Sequence, residues 1–240
     1  MADGTIYYNW FKPRSIAVRV LAKTLKLDVE LKHINGSEDA DASYLSLNPL
    51  GKIPTFVDGD GFVLKECCAI LTYIATKYQE KKNFLGANQQ EYFSVQQWLS
   101  FANSEFLLAM GGALHPIMKD FKTEIHCLAN DCGRMMLREL DMMEAHLAEK
   151  PYLVGQSVTI ADLLLASFVG CGYQVFHGSW WNDYPNISKW FLSVYNIPEF
   201  KDTMGELQKF EKDIPLSLQG KDTQAAREIL ARNYAIPSMV

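Results

Sequence analysis

The sequence has no apolar run of about 18 residues, so nothing in it reads as a membrane-spanning helix. It has no basic excess either. Its net charge of -5 at pH 7 argues against a nucleic-acid or membrane-surface role, because neither phosphates nor anionic lipids would be drawn to it. Met1-Ala2-Asp3-Gly4 is not the start of a signal peptide, and a cytoplasmic protein is expected. Cysteine is sparse and unpaired in pattern. Cys67, Cys68, Cys127, Cys132 and Cys171 make an odd count of 5 without C-x-x-C spacing, which suits a reducing compartment better than a disulfide framework. His126-Cys127 with Cys132 suggests zinc, but the flanks read as continuous helix and further ligands at workable spacing are missing. No metal is expected.

What is there is an ordinary globular balance. The 240 residues are 48% hydrophobic and 21% charged, enough chain for one or two domains with a substantial core. The most informative stretch runs from Asn48 to Ile70. Asn48-Pro49 and Gly51 break the preceding element. Thr55 to Val57 and Phe62 to Leu64 are short β-prone runs around the turn Asp58-Gly59-Asp60-Gly61, which reads as a hairpin. A helix follows from Glu66, carried by Ile70, Leu71, Ile74 and Ala75. A cis Ile53-Pro54 bond would turn the backbone N–H and C=O of Ile53 outward beside that helix's N-terminus. The helix tip suits a carboxylate, and Glu66 suits an ammonium group. The natural guest is an extended peptide bearing α-amino and α-carboxylate groups.

Upstream, Thr5 to Tyr8 reads as a strand, Ile16 to Leu27 as an amphipathic helix with Pro13 at its start, Val29 to Ile34 as a second strand, and Asp41 to Leu47 as a short helix. Glu80 to Asn88 reads as a linker. From Gln89 onward no convincing strand appears. Helices are expected over Tyr92–Leu108, with Phe93, Trp98, Leu99, Phe101 and Ala102 apolar; Gly111-Gly112 loosens or interrupts this helix, and Pro116 marks another bend. A second long helix, Glu124–Lys150, carries Leu128, Met135, Leu137, Leu140, Met143 and Leu147 on its apolar side. Thr159 and Asp162 form a capping-box variant for a helix over Ile160–Val169, which gives Asp162 a folding role. Pro185–Tyr195 and Pro198–Lys212 read as two more helices, with a last helical stretch in the tail, Thr223–Tyr234.

Asn48 to Lys52, Ile53-Pro54 and Glu66-Cys67-Cys68-Ala69-Ile70 resemble the glutathione-binding half of the glutathione transferase superfamily, with Cys67 where its pattern has serine. Leu153-Val154-Gly155, Thr159 and Ala161-Asp162 resemble the family's second-domain motif. The resemblance implies an α/β thioredoxin-like N-terminal domain over residues 1–80, an all-α C-terminal domain over 89–215 and a tail over 216–240. It also implies glutathione as the cofactor, a hydrophobic small-molecule substrate and a homodimer. Lys52 would meet the glycyl carboxylate, and Ile53 and Pro54 the cysteinyl backbone. Glu66 and Cys67 would hold the γ-glutamyl end. The thiol's activator is sought among Tyr8, Asn9, Lys12, Arg14 and Ser15, with Ser15, Arg14 and Lys12 the catalytic candidates. Tyr8, Asn103, Phe106 and Met110, with Phe176 or Trp180, are the substrate-pocket candidates.

Residues Val95 to Glu105, Tyr184-Pro185-Asn186 and Lys189 to Leu192 are similar to the transferase-like domain of elongation factor 1B gamma. That subunit continues through a Lys-rich linker into another domain, whereas this sequence stops at Val240. The expectation is therefore a free-standing fungal-type transferase, including those of secondary-metabolite pathways such as pseurotin biosynthesis. Conjugation and glutathione-dependent cis–trans isomerisation both remain open. A non-catalytic, gamma-subunit-like interaction module is the alternative.

Overall fold

The computed structural model describes residues 2–10, 12–35, 40–114 and 126–207, with side chains outside the description at 113–114, 126–131 and 174–181. The expected bend at Pro116 and the tail helix Thr223–Tyr234 therefore lie outside the described residues, as do the side chains of His126, Cys127, Phe176 and Trp180.

The first half runs β1 (Gly4–Tyr8), α1 (Pro13–Thr24), β2 (Val29–His33), α2 (Ala42–Leu47), β3 (Thr55–Asp58), β4 (Val63–Lys65) and α3 (Cys67–Lys77). The sheet order is β2-β1-β3-β4. β1 and β2 are parallel, with Tyr8 opposite His33, while β3 pairs antiparallel with β1 and β4 antiparallel with β3. Period-2 alternation puts Tyr7 and Tyr8 on opposite faces of β1. Tyr7 stacks on Tyr44 of α2, with ring centroids 5.0 Å apart. On the other face, α1 packs on α3. Ile6, Val18, Leu21, Phe56, Ile70, Leu71 and Ile74 are fully buried, each aliphatic side chain contributing about 1.5–3 kcal/mol of transfer free energy. This is a thioredoxin-like α/β half.

The second half is helical in its described residues: α4 (Gln89–Ser100), a π-helical turn (Phe101–Phe106), α5 (Leu107–Leu114), α6 (His126–Leu147), α7 (Ile160–Asp183), α8 (Pro185–Tyr195) and α9 (Pro198–Met204). The described chain divides into two compact units. One takes residues 1–100, 150–168 and 192–206; the other takes 101–149 and 169–191. Residues 80–88, expected as a polar linker, are pinned within the first unit. Phe84 and Leu85 are buried, and the Phe84 carbonyl accepts the Ile160 N–H at 3.0 Å.

Several expectations need correction. Gly111-Gly112 does not interrupt the helix; α5 runs through it to Leu114. A Cβ on Gly112 would collide with Cys132 Sγ and come within 2.8 Å of Cys132 Cβ. The glycine is there because α5 and α6 approach too closely for a side chain. The buried stripe of α6 is Cys132, Met136, Leu140, Met143 and Leu147, and Met135 is 36% exposed. Phe93 on α4 is 60% exposed, the buried face being Val95, Trp98 and Leu99. Helix α7 continues well past Val169, and α9 stops at Met204, where Gly205 at φ 80 leaves helical geometry before Lys212 is reached.

Asp162 does hold the start of α7. It is fully buried and accepts the backbone N–H groups of Leu153 (2.9 Å) and Thr159 (2.8 Å) and the Thr159 hydroxyl (2.8 Å). Glu144 of α6 does the same for α8, accepting the N–H groups of Asn186 (2.8 Å) and Ile187 (2.9 Å).

Candidate functional site

The proline loop is built from its backbone outward. Asp41 caps α2 by accepting the Tyr44 N–H at 2.8 Å, which orients Tyr44 inward. The Tyr44 hydroxyl donates to the Lys52 carbonyl, and Asn48 Nδ2 donates to the same oxygen at 2.7 Å and to Thr55 Oγ1 at 3.0 Å. Asn48 and Thr55 are buried, so these groups had to find partners inside the protein. Gly51, at φ 61, closes the turn by donating to the Asn48 carbonyl at 2.8 Å. One carbonyl, gripped by Tyr44 and Asn48 and reached by the Thr55 hydroxyl at 3.4 Å, thus anchors the loop that carries Lys52, exposed, Ile53, half-buried, and Pro54, buried; the Ile53–Pro54 bond is cis. The hydrogen bonds of Tyr44, Asn48 and Thr55 to the loop are not part of the reading from sequence alone. The available signal was Asn48, which reads there as a breaker of the preceding element and as the first residue of the family motif.

The tip of α3 faces a different fate. Glu66 precedes the helix at φ 65, ψ 116, a backbone region that costs a non-glycine residue on the order of 1–3 kcal/mol. Its exposed side chain makes no capping hydrogen bond. Cys67 is buried and Cys68 half-buried, with their sulfurs 3.9 Å apart, and the Cys68 thiol contacts the Leu99 carbonyl at 3.6 Å. The thiol of Cys68 and then burial push the Cys67 thiol well above the usual range; the positive charge of Arg14 pulls the other way. The same Arg14 charge acts on Cys68. The α3 tip is therefore within electrostatic reach of the Arg14 charge from the first loop.

In that loop, exposed Lys12 precedes α1 and its carbonyl accepts the N–H groups of Ser15 (2.9 Å) and Ile16 (3.0 Å). Ser15 is fully buried and its hydroxyl accepts the Asn9 N–H at 3.4 Å. Asn9 Nδ2 donates to the carbonyls of Ile34 (3.1 Å) and Asn35 (3.2 Å), fastening the loop to the end of β2. Tyr8 is 4% exposed. The Arg19 guanidinium lies 4.3 Å from the centre of its ring and 4.7 Å from that of Trp10, a cation touching both members of an edge-to-face aromatic pair whose centroids are 4.9 Å apart. Burial holds Arg19 below its ordinary value.

Asn103, Phe106 and Met110 belong to the other compact unit. Asn103 is half-buried in the π-helical turn, Phe106 is fully buried with its ring 6.1 Å from that of Phe101, and Met110 is 3% exposed. In the same unit Glu139 has a buried Oε2 without a partner, and burial, then the charge of Glu105, pushes its carboxyl up to about 7.

A cis-proline loop beside an uncapped helix tip, on a β-α-β-α-β-β-α half, matches known proteins along both halves of the chain. Residues 2–76 fit the family model described as the glutathione S-transferase N-terminal domain and residues 108–198 the one for the C-terminal domain. The chain belongs to the glutathione S-transferase family. It is 36% identical over 219 residues to glutathione S-transferase stcT of Emericella nidulans, covering 90% of this chain and 98% of that one. It is 31% identical to glutathione S-transferase psoE of Aspergillus fumigatus, covering 88% of each. Among solved structures, the glutathione-transferase-like domain of elongation factor 1-gamma from Saccharomyces cerevisiae superposes with a TM-score of 0.76 at 27% identity, over 90% of this chain and 98% of that one. This family member therefore has the thioredoxin-like half and the helical half of the transferase fold. No described helix is long and apolar enough to cross a membrane.

Proposed function

We propose that the protein is a glutathione-dependent transferase that adds the glutathione thiolate to a hydrophobic electrophilic or unsaturated small molecule, within fungal secondary metabolism. The observation that carries the reading is the tip of α3, left without a side-chain cap and within electrostatic reach of the Arg14 charge, next to the anchored proline loop. Free glutathione has a thiol pKa near ~8.5, so little is ionised at neutral pH. Arg14 and Lys12 supply positive charge for the thiolate. Ser15, whose oxygen already accepts from Asn9, has its own proton to donate. In this reading Lys52 meets the glycyl carboxylate, Ile53 pairs with the cysteinyl backbone, and Glu66 takes the γ-glutamyl ammonium. The N–H of Cys67 at the helix tip takes the γ-glutamyl carboxylate, so replacing the family's serine by cysteine removes a good side-chain partner but not the backbone one.

The thiolate has two fates. Permanent addition gives a conjugate. Reversible addition to a conjugated double bond, followed by rotation and departure, gives a cis–trans isomerase. Calorimetry with millimolar glutathione tests the peptide site, and saturable heat is expected. Turnover of a generic aryl halide then tests activation, where Arg14→Met should lower kcat/KM by about tenfold or more, equivalent to losing one charge-assisted contact. Isomerisation would show as conversion of a cis-enone with glutathione unconsumed. No saturation would remove the enzyme reading.

The similarity to the elongation factor 1-gamma domain supports a second reading, a non-catalytic interaction module. A stable complex with elongation-factor subunits and no turnover would favour it. The homodimer belongs to the first reading and is checked by light scattering.

A further inference from the structure

Two thiols meet at the tip of α3, where the family pattern has one hydroxyl. Cys67 is 2% exposed, whereas Cys68 is half-buried and 3.9 Å from it, sulfur to sulfur. Cys68 sits in the first turn of an 11-residue helix, where the N–H groups and the macrodipole favour a negative charge. Arg14 adds a formal positive charge from the neighbouring loop. Against these stand burial first and then the Glu66 carboxylate, while the neutral thiol donates to the Leu99 carbonyl at 3.6 Å. Hydrogen bonding from Cys67 is the largest influence on Cys68, and with Arg14 it brings the Cys68 thiol below its ordinary range while Cys67 is held above it. The arrangement is a buried thiol in contact with a half-buried one, and the less buried thiol of such a pair is the one open to reaction.

We propose that Cys68 is a thiol–disulfide exchange site for glutathione-type disulfides, and that the mixed disulfide formed there blocks the peptide site at the same helix tip. Ionised Cys68 Sγ attacks one sulfur of the oxidised tripeptide. A Cys68–S bond forms as the tripeptide's own S–S bond breaks. The second glutathione leaves as a thiolate and takes up the proton that Cys68 released, so no other oxidant is needed. The adduct then stands one residue from the Cys67 N–H that the proposed function gives to the γ-glutamyl carboxylate. The inference rests on that reading for its ligand. Oxidised glutathione would thus switch off a site that reduced glutathione uses, and a thiol reductant would restore it.

The test uses the full-length chain, reduced, desalted and incubated with oxidised glutathione, then read by intact mass and peptide mapping. The expected result is one glutathionyl group per chain at Cys68, released by dithiothreitol, with reduced glutathione no longer giving calorimetric saturation until release. Cys67→Ala and Arg14→Met should each slow the exchange several-fold, because each removes one support of the Cys68 thiolate. Absence of an adduct on the wild-type chain overturns the proposal, as does mapping of the adduct to Cys132 or Cys171. An adduct at Cys68 that leaves peptide binding unchanged overturns the blocking role. Peptide mapping of the wild type decides the site even where a cysteine variant fails to fold. A reduced chain that never binds glutathione sinks the proposed function instead, a result distinguishable because adduct mass is read without reference to affinity.

Discussion

The tips of α7 and α3 are both helix N-termini in the same compact unit, and they are finished in opposite ways. At α7 a buried carboxylate, Asp162, accepts three hydrogen bonds and leaves nothing for a ligand to do. At α3 the preceding residue, Glu66, is exposed, makes no side-chain cap and sits at positive φ. In the other unit, Glu144 closes α8 as Asp162 closes α7. Unsatisfied N–H groups at a helix start are costly unless something accepts from them. The fold spends its own carboxylates on α7 and α8, and α3 is the tip to which the proposed function assigns an outside carboxylate.

Breaking the closed tip should have the largest effect. Asp162→Ala strands the Leu153 and Thr159 N–H groups inside the protein and should cost about 3 kcal/mol or more, since each such loss is typically 1–3 kcal/mol; a urea unfolding midpoint that barely moves would contradict the capping role. Glu144→Gln keeps the shape but weakens two charge-assisted bonds, and about 1–2 kcal/mol should be lost in the same assay.

Control of pH adds a buried carboxyl that caps nothing to the contrast. Glu139 holds its proton up to about 7 in the folded protein, against a reference of 4.5, because of burial and Glu105. Its folded value is raised, so the folded state binds more protons than the unfolded one between these values. Stability should therefore fall as pH rises from about 4.5 to 7 and level off above. Glu139→Gln should flatten that slope, and an unchanged slope would show that Glu139 is not its source. The smallest expected effect is at the open tip. Glu66→Gly relieves the positive φ and should stabilise by up to about 1 kcal/mol, while calorimetry with glutathione should show weaker binding if Glu66 holds the ammonium group. Stability and binding moving in the same direction would undo the contrast between the two tips.

Some of this was legible in the residues and some was not. Ile70, Leu71, Ile74 and Ala75 announce α3 because burial on one face imposes helical spacing. The capping partnership of Thr159 and Asp162 is local, three residues apart, and was readable for that reason. Glu144 caps a helix 42 residues away, and no window of sequence contains that fact. Gly111-Gly112 reads as a weak point by propensity, yet Cys132 on another helix explains the glycine at 112. Met135 and Phe93 were read onto the apolar sides of their helices, but α6 turns Met136 inward in place of Met135, and α4 buries Trp98 and Leu99 as expected while leaving Phe93 exposed. Of the candidate site, the order of the motif from Asn48 to Ile70 was visible. The grip of Tyr44 and Asn48 on the Lys52 carbonyl was not, nor was the contact of Arg19 with the Tyr8 and Trp10 rings.

By itself the sequence determined the element order, the hairpin and the helix that follows it, and the residue types offered at that helix's start, because these depend on turn chemistry and periodicity within a few neighbours. The tertiary structure decided which helix tips are closed by the protein's own carboxylates, which face of each long helix is buried, and that the Arg14 charge reaches the two thiols of α3. Those are matters of distance between groups far apart along the chain, and only packing sets such distances.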